Sequence, residues 1–246
     1  MTEDLSRESD DEVIGGGDPE SRYARLMPDR EYYEEWPGNG PLYAPWRDPG
    51  NLCDEVEDVE LLTLNERPRL YYLASFGRHA AGLGGAFAEC GVFRGGTALL
   101  MARVTEQART PLHLLDSFEG LPEPNELRDL FYRRGDFRFA DKNAVSALLS
   151  EYGDRVHIHQ GWIPEVFSEL ADMKWSLVHV DVDLYQPTLD ACEYFYERLL
   201  TGGVLIFDEY GYPTCRGERE AVDKFFGHRR EVPIVLPTGQ AVVLKL

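Results

Sequence analysis

The chain has 246 residues, 43% of them hydrophobic, and 44 acidic against 25 basic side chains give a formal net charge of −19. This length suits one sizeable domain, or a domain with an added cap, and the apolar fraction is enough for a real core. The charge argues against nucleic acid and anionic membranes as partners, and no apolar run approaches the roughly 20 residues of a membrane span.

Residues 1–20 hold eight acids and read as a solvated, disordered tail. They lack the apolar core of a secretory signal, so a cytoplasmic location is expected. Residues 21–80 read as an N-terminal cap. Its first part carries Tyr32, Tyr33, Trp36, Tyr43 and Trp46, either a lid of aromatic rings or the core of the cap or of a subunit interface. Residues 52–79 predict one or two covering helices. From 81 to 246 the pattern becomes strands alternating with helices. GAFAECG, LHLLDSF, RVHIHQG, WSLVHVDVD and GGVLIFDEY read as strands. TALLMARVTEQ, NAVSALLSEYG, PTLDACEYFYERLL and EREAVDKFFG read as helices. VPIVLPTGQAVVLKL reads as a hairpin about a Pro-Thr-Gly turn. The fold class is α/β, a mostly parallel sheet covered on both faces. A terminal hairpin inserted antiparallel distinguishes a methyltransferase-type, Rossmann-like sheet from a dinucleotide-binding one. Ligands then sit beyond the carboxyl ends of the strands. Cys53, Cys90, Cys192 and Cys215 form no CxxC and read as reduced thiols rather than a zinc site, with Cys90 a small buried residue.

ECGVFRGGT, residues 89–97, resembles a dinucleotide loop with the wrong charge. A carboxylate ahead of the glycines repels a pyrophosphate. It suits a ligand carrying positive charge and donors, and S-adenosylmethionine offers a sulfonium, an ammonium and ribose hydroxyls. Glu89, Gly91, Gly95 and Thr97 are therefore candidates for binding this donor, with Thr97 able to cap the next helix. Asp116, at the end of the second strand beside Ser117, is placed to accept both ribose hydroxyls. Gln160, Gly161 and Trp162 follow the third strand and can border an adenine ring.

WSLVHVDVDLY places Val178, Val180 and Val182 on one strand face and His179, Asp181 and Asp183 on the other. The next predicted strand ends in Asp208-Glu209. If the two strands are neighbours, Asp181, Asp208 and Glu209 converge. Three carboxylates without thiolates suit a hard cation, Mg²⁺ first, with Mn²⁺ or Ca²⁺ as options. His179 could be a ligand but reads first as a neutral second-tier or core histidine, and Arg216 or Lys224 is the alternative counter-charge for the acids.

Together with DSFEGLPEP, GDF at 135–137, QGWIPEVF, VDVDLYQPTLDA, FDEYG and CRGEREAVDKFF, these motifs resemble the macrocin-type O-methyltransferase family. The likeness runs from about residue 85 to 226. It implies a class I methyltransferase fold, S-adenosylmethionine as donor, a divalent metal on Asp181, Asp208 and Glu209, and Asp181 as general base. It further implies a sugar hydroxyl of a glycosylated natural product as acceptor, and a homodimer or larger homo-oligomer. Glu209 departs from the family, which carries a second Asp there. Asp183 is the second choice for the base or for gripping a sugar hydroxyl. Three other readings compete: a metal-dependent catechol or phenol methyltransferase, a Rossmann oxidoreductase disfavoured by Glu89, and a non-catalytic protein that keeps the donor fold.

Overall fold

A computed structural model describes residues 45–47, 56, 58–170 and 172–246. The acidic tail and Tyr32, Tyr33, Trp36 and Tyr43 lie outside the described residues. Trp46 is half-buried, its ring edge-on to Tyr71 at 6.0 Å between centroids.

Seven strands form one sheet: β1 (Ala86–Cys90), β2 (Leu112–Asp116), β3 (Val156–Gln160), β4 (Trp175–Val180), β5 (Leu199–Phe207), β6 (Ile234–Val235) and β7 (Ala241–Leu244), in the order 3-2-1-4-5-7-6. The first five run parallel, while β7 enters antiparallel to β5 and pairs with β6. This is the methyltransferase-type sheet that the terminal hairpin predicted. β1 and β4 are buried along their whole length, because each sits inside a parallel sheet covered on both sides.

Five helices provide that cover: α1 (Arg67–Ala81), α2 (Gly96–Val104), α3 (Lys142–Leu148), α4 (Tyr185–Tyr196) and α5 (Arg216–Phe226). α1 packs on α2, β4 and β5, and α4 packs on α5. Phe87, Leu112, Leu114, Leu177, Ile206 and Val242 form the core under α1 and α2. Ala88, Cys90, Val178, Val180, Leu205 and Phe207 face the other way, against α4 and α5.

Two helices are shorter than their sequence patterns suggest. The pattern over 143–153 gives α3 and then a 3-10 segment, Ser150–Arg155, with Gly153 at φ 60°. The pattern over 187–200 stops at Tyr196, since Leu199 and Leu200 already belong to β5. Gly202, at φ +82°, then carries the chain through an irregular start to the strand, where the register with β4 shifts.

Candidate functional site

A cleft of about 190 Å³ opens beyond the carboxyl ends of β1, β2 and β4, where an open α/β sheet places its ligands. One end is built from loops. Gly91, Val92, Phe93 and Thr97 come from the turn into α2, Asp116 and Ser117 from the end of β2, and Gly161 and Trp162 from the turn after β3. Asp116 knits these loops together. Its Oδ2 accepts from the amides of Val92 (2.7 Å) and Phe93 (3.1 Å), and its Oδ1 from that of Phe118 (2.7 Å). Phe93 and Phe118 both have positive φ, a cost the carboxylate offsets by satisfying their amides.

The two motif glycines do different work. Gly91 has φ +85°, and a Cβ there would stand 1.8 Å from the Asp181 carbonyl oxygen, so the bare backbone lets β1 meet the chain leaving β4. Gly95, at φ +84°, is the N-cap of α2 and abuts Val145 and Leu148 of α3. It is not part of the cleft wall. Nor is Gln160, whose side chain donates to the Ser117 carbonyl at 3.4 Å. The capping expected of Thr97 is not found. α2 has no side-chain cap, because the turn runs one residue pair earlier and leaves Thr97 inside the first helical turn.

The other end is acidic. Asp181, Asp183 and Glu209 line it. Asp208 is fully buried behind them, its amide bonded to the Val180 carbonyl at 3.0 Å. The face argument for Asp181 and Asp183 fails in detail: β4 ends at Val180, and Asp183 sits at φ 61° in a turn. Both still reach the cleft, through that turn rather than through strand alternation. Ligand atoms of His179, Asp181 and Asp208 lie within 4.8 Å of one another, a trio that takes in His179 in place of the expected Glu209.

His179 is no neutral spacer. Its Nδ1 lies 3.0 Å from Glu89 Oε1 and its Nε2 3.2 Å from Asp208 Oδ1. Burial opposes its charge, but Asp208 and Glu89 hold its proton well above the ordinary histidine range. Burial likewise disfavours charge on Asp208, yet Arg69 and His179 keep its carboxyl below the usual range. Burial and then neighbouring Asp208 and Asp183 push Asp181 well up. Desolvation and then the neighbouring Glu209 raise half-buried Asp183 to about 7. Burial, helped by the nearby Asp208, sets Glu89 high, with His179 and the Thr97 hydroxyl pulling the other way.

Arg69, from α1, is the counter-charge the motifs did not reveal. It donates to the Asp208 carbonyl at 2.8 Å, grips Asp208 Oδ2 and Glu209 Oε1, and lies over the Tyr212 ring. Arg216 instead pairs with Glu220, and Lys224 donates to the Tyr185 hydroxyl. Three further residues complete this end. Gln240 donates to Asp208 Oδ1 at 2.7 Å. Buried Glu218 accepts from the Glu209 amide at 2.9 Å. Cys215 stands between Tyr132, Asp183 and Glu209 at 3.5–3.7 Å. The signal for Arg69 was a charge on the buried stripe of a helix, beside Leu70 and Leu73.

The donor set fits a divalent cation. Asp181, Asp183, Asp208, Glu209 and Glu218 bring five carboxylates, against one guanidinium and one imidazole. Glu89 Oε2 and Glu218 Oε2 are buried without a hydrogen-bond partner among the described residues. Uncompensated buried oxygens of this kind ask for positive charge.

The chain matches the macrocin-O-methyltransferase (TylF) family over residues 70–236, well over half its length, and belongs to that family. It is 32% identical over 152 residues to the 8-demethyl-8-(2,3-dimethoxy-alpha-L-rhamnosyl)-tetracenomycin-C 4'-O-methyltransferase of Streptomyces olivaceus, covering 56% of this chain and 57% of that one. It is 28% identical over 159 residues to the mycinamicin III 3''-O-methyltransferase of Micromonospora griseorubida, covering 58% and 61%. The matches thus span less than two thirds of these relatives. Among solved structures, the O-methyltransferase NovP superposes with a TM-score of 0.63 at 23% identity, over 75% of this chain and 82% of that one. CalS11, a calicheamicin methyltransferase, gives 0.63 at 20% identity over 98% and 99%. These likenesses show the class I methyltransferase fold.

Proposed function

We propose that this member of the macrocin O-methyltransferase family moves a methyl group from S-adenosylmethionine to a sugar hydroxyl of a glycosylated natural product such as an antibiotic. A divalent cation, Mg²⁺ ahead of Mn²⁺ or Ca²⁺, assists at the acidic end of the cleft. The observation that carries the reading is the division of one cleft into a loop-lined end and an end of clustered carboxylates. The relatives named for methylating a rhamnosyl tetracenomycin and mycinamicin III support the acceptor class.

In this reading Asp116 and Ser117 take the ribose, while Gly161 and Trp162 border the adenine. Gly91 and Thr97 let the donor approach the turn into α2. Asp181, Asp208 and Glu209 hold the cation, with Arg69 keeping the last two in place. A divalent cation bound there supplies Lewis acidity that lowers the pKa of an adjacent hydroxyl. Asp181 takes the proton from the acceptor hydroxyl, with Asp183 as the alternate acceptor of that proton or as a grip on a second hydroxyl. Holding donor and acceptor in one cleft contributes the positioning that such reactions require. Among the described residues no helix is long and apolar enough to cross a membrane. A cytoplasmic homo-oligomer acting on a small-molecule acceptor completes the picture.

The test is methyl transfer by the full-length protein, read by mass spectrometry. A panel of desmethyl rhamnosides and a catechol are each offered with Mg²⁺ and with EDTA. Products from the glycosides that vanish with EDTA are expected. Methylation of the catechol alone would move the reading to a phenol methyltransferase, and full activity in EDTA would remove the cation.

A further inference from the structure

Glu89 opens the glycine loop, yet it is fully buried and takes no part in the cleft wall. Its partner is His179, with Oε1 3.0 Å from Nδ1. The sheet register dictates this pairing, because the two are Cα partners on the adjacent parallel strands β1 and β4. They face the same side, since Glu89 shares a strand face with Phe87 and His179 with Leu177. The other ring nitrogen of His179 turns to Asp208 Oδ1 at 3.2 Å. Gln240 reaches that same oxygen at 2.7 Å, and Arg69 takes Oδ2. All five side chains are buried. Asp208 is thus held on both carboxylate oxygens by a row of polar groups crossing four strands, and Glu89 is the far anchor of that row. The 3.2 Å contact with Asp208 is an ion-pair distance without hydrogen-bond geometry, so it depends on where the ring is held, and Glu89, the ring's hydrogen-bond partner among the described residues, is the group that holds it.

We infer that Glu89 is a positioning residue for the cation site and not a contact of the methyl donor. It orients His179, and His179 with Arg69 and Gln240 fixes the Asp208 carboxylate in the orientation cation binding needs. The assignment rests on the donor-and-cation reading above and goes beyond it by moving the leading acid of the glycine motif from one end of the cleft to the other. Removing such an outer partner of a metal-binding group typically costs about 10–100-fold in metal affinity.

Glu89→Gln keeps the shape but puts an amide where the carboxyl group meets His179, and His179→Asn cuts the row while leaving Glu89 intact. Each full-length variant, once shown folded by its thermal melt, is titrated by calorimetry with MgCl₂ and, separately in EDTA, with S-adenosylhomocysteine. The expected result is Mg²⁺ affinity at least about tenfold weaker in both variants, with S-adenosylhomocysteine affinity within about twofold of wild type. Asp116→Asn, on the cleft wall, should show the reverse pattern. Loss of S-adenosylhomocysteine binding in Glu89→Gln, or unchanged Mg²⁺ affinity in either variant, would overturn the assignment while leaving the proposed activity standing. Should Glu89→Gln fail to fold, His179→Asn decides by the same two readings. A wild-type protein that binds no S-adenosylhomocysteine removes the proposed activity itself. One that binds it but no Mg²⁺ removes the cation and this assignment together.

Discussion

The two faces of the central sheet share the same strands and are covered equally well, but they end differently. Over β1, β4 and β5 the face under α4 and α5 stays apolar to the last residue: Ala88 and Cys90, Val178 and Val180, Leu205 and Phe207. The face under α1 and α2 begins just as apolar, with Phe87, Leu177 and Ile206. It then turns polar at the carboxyl ends, where Glu89, His179 and Asp208 follow on the same side. Burying such groups is costly unless each meets a partner; each residue here meets another, yet Glu89 Oε2 and His179 Nε2 are left without a hydrogen bond among the described residues. The apolar face therefore supplies packing alone, and the polar rim of the opposite face lies beside the cleft.

The largest expected effect falls on that rim. Asp181→Ala should lower turnover by at least about 10³-fold, as loss of a general base does, while S-adenosylhomocysteine still binds. Loss of donor binding in the folded variant would remove Asp181 from its proposed role. Next comes the apolar face. Phe195 of α4 is fully buried against Trp175 and Phe167. Phe195→Ala should cost about 3–5 kcal/mol in urea unfolding yet leave Mg²⁺ and S-adenosylhomocysteine affinities unchanged in the folded protein. A selective loss of cation affinity there would break the division between the faces. Asp116→Asn should cost about 1.5–3 kcal/mol of donor binding, the value of hydrogen bonds to a charged group, measured by calorimetry. It should leave Mg²⁺ affinity alone.

The smallest effect concerns an exception on the apolar side. His113 is stacked between His157 and His159, and burial together with those two rings lowers its pKa to about 4. It is thus neutral in the fold and takes up a proton more readily when unfolded. Its contribution to stability is complete above about pH 6.5 and is lost as pH falls toward 4. Denaturant midpoints of His113→Asn should therefore decline less between those two values than those of wild type. An identical decline would show that the histidine stack does not contribute to acid lability.

What was legible in the sequence follows the same division. Apolar runs bounded by glycine and polar residues marked the parallel strands, and the antiparallel hairpin was readable from its turn. Asp116, Asp181 and Glu209 were singled out because chemistry-bearing residues at strand ends stand out against apolar neighbours, and the structure brings them to one cleft. Arg69 and Gln240 were missed: Arg69 showed only as a charge beside Leu70 and Leu73 on a helical stripe and Gln240 not at all, and only the tertiary meeting of α1 and the β6–β7 turn with β5 gives each its partner. The alternation rule misassigned Asp181 and Asp183 because it was carried past Val180, where the strand had already ended. His179 looked neutral because the two carboxylates that hold its proton lie 90 residues before it and 29 after it in the chain.

The measurement that tests the account most directly is a calorimetric titration of the wild-type protein with S-adenosylhomocysteine, run once with Mg²⁺ and once with EDTA. Binding in both conditions is the predicted result, since the loops around Asp116 stand apart from the carboxylates around Asp208. No binding in either would contradict the account, leaving the cleft without a methyl donor and the acidic cluster without the reaction proposed for it.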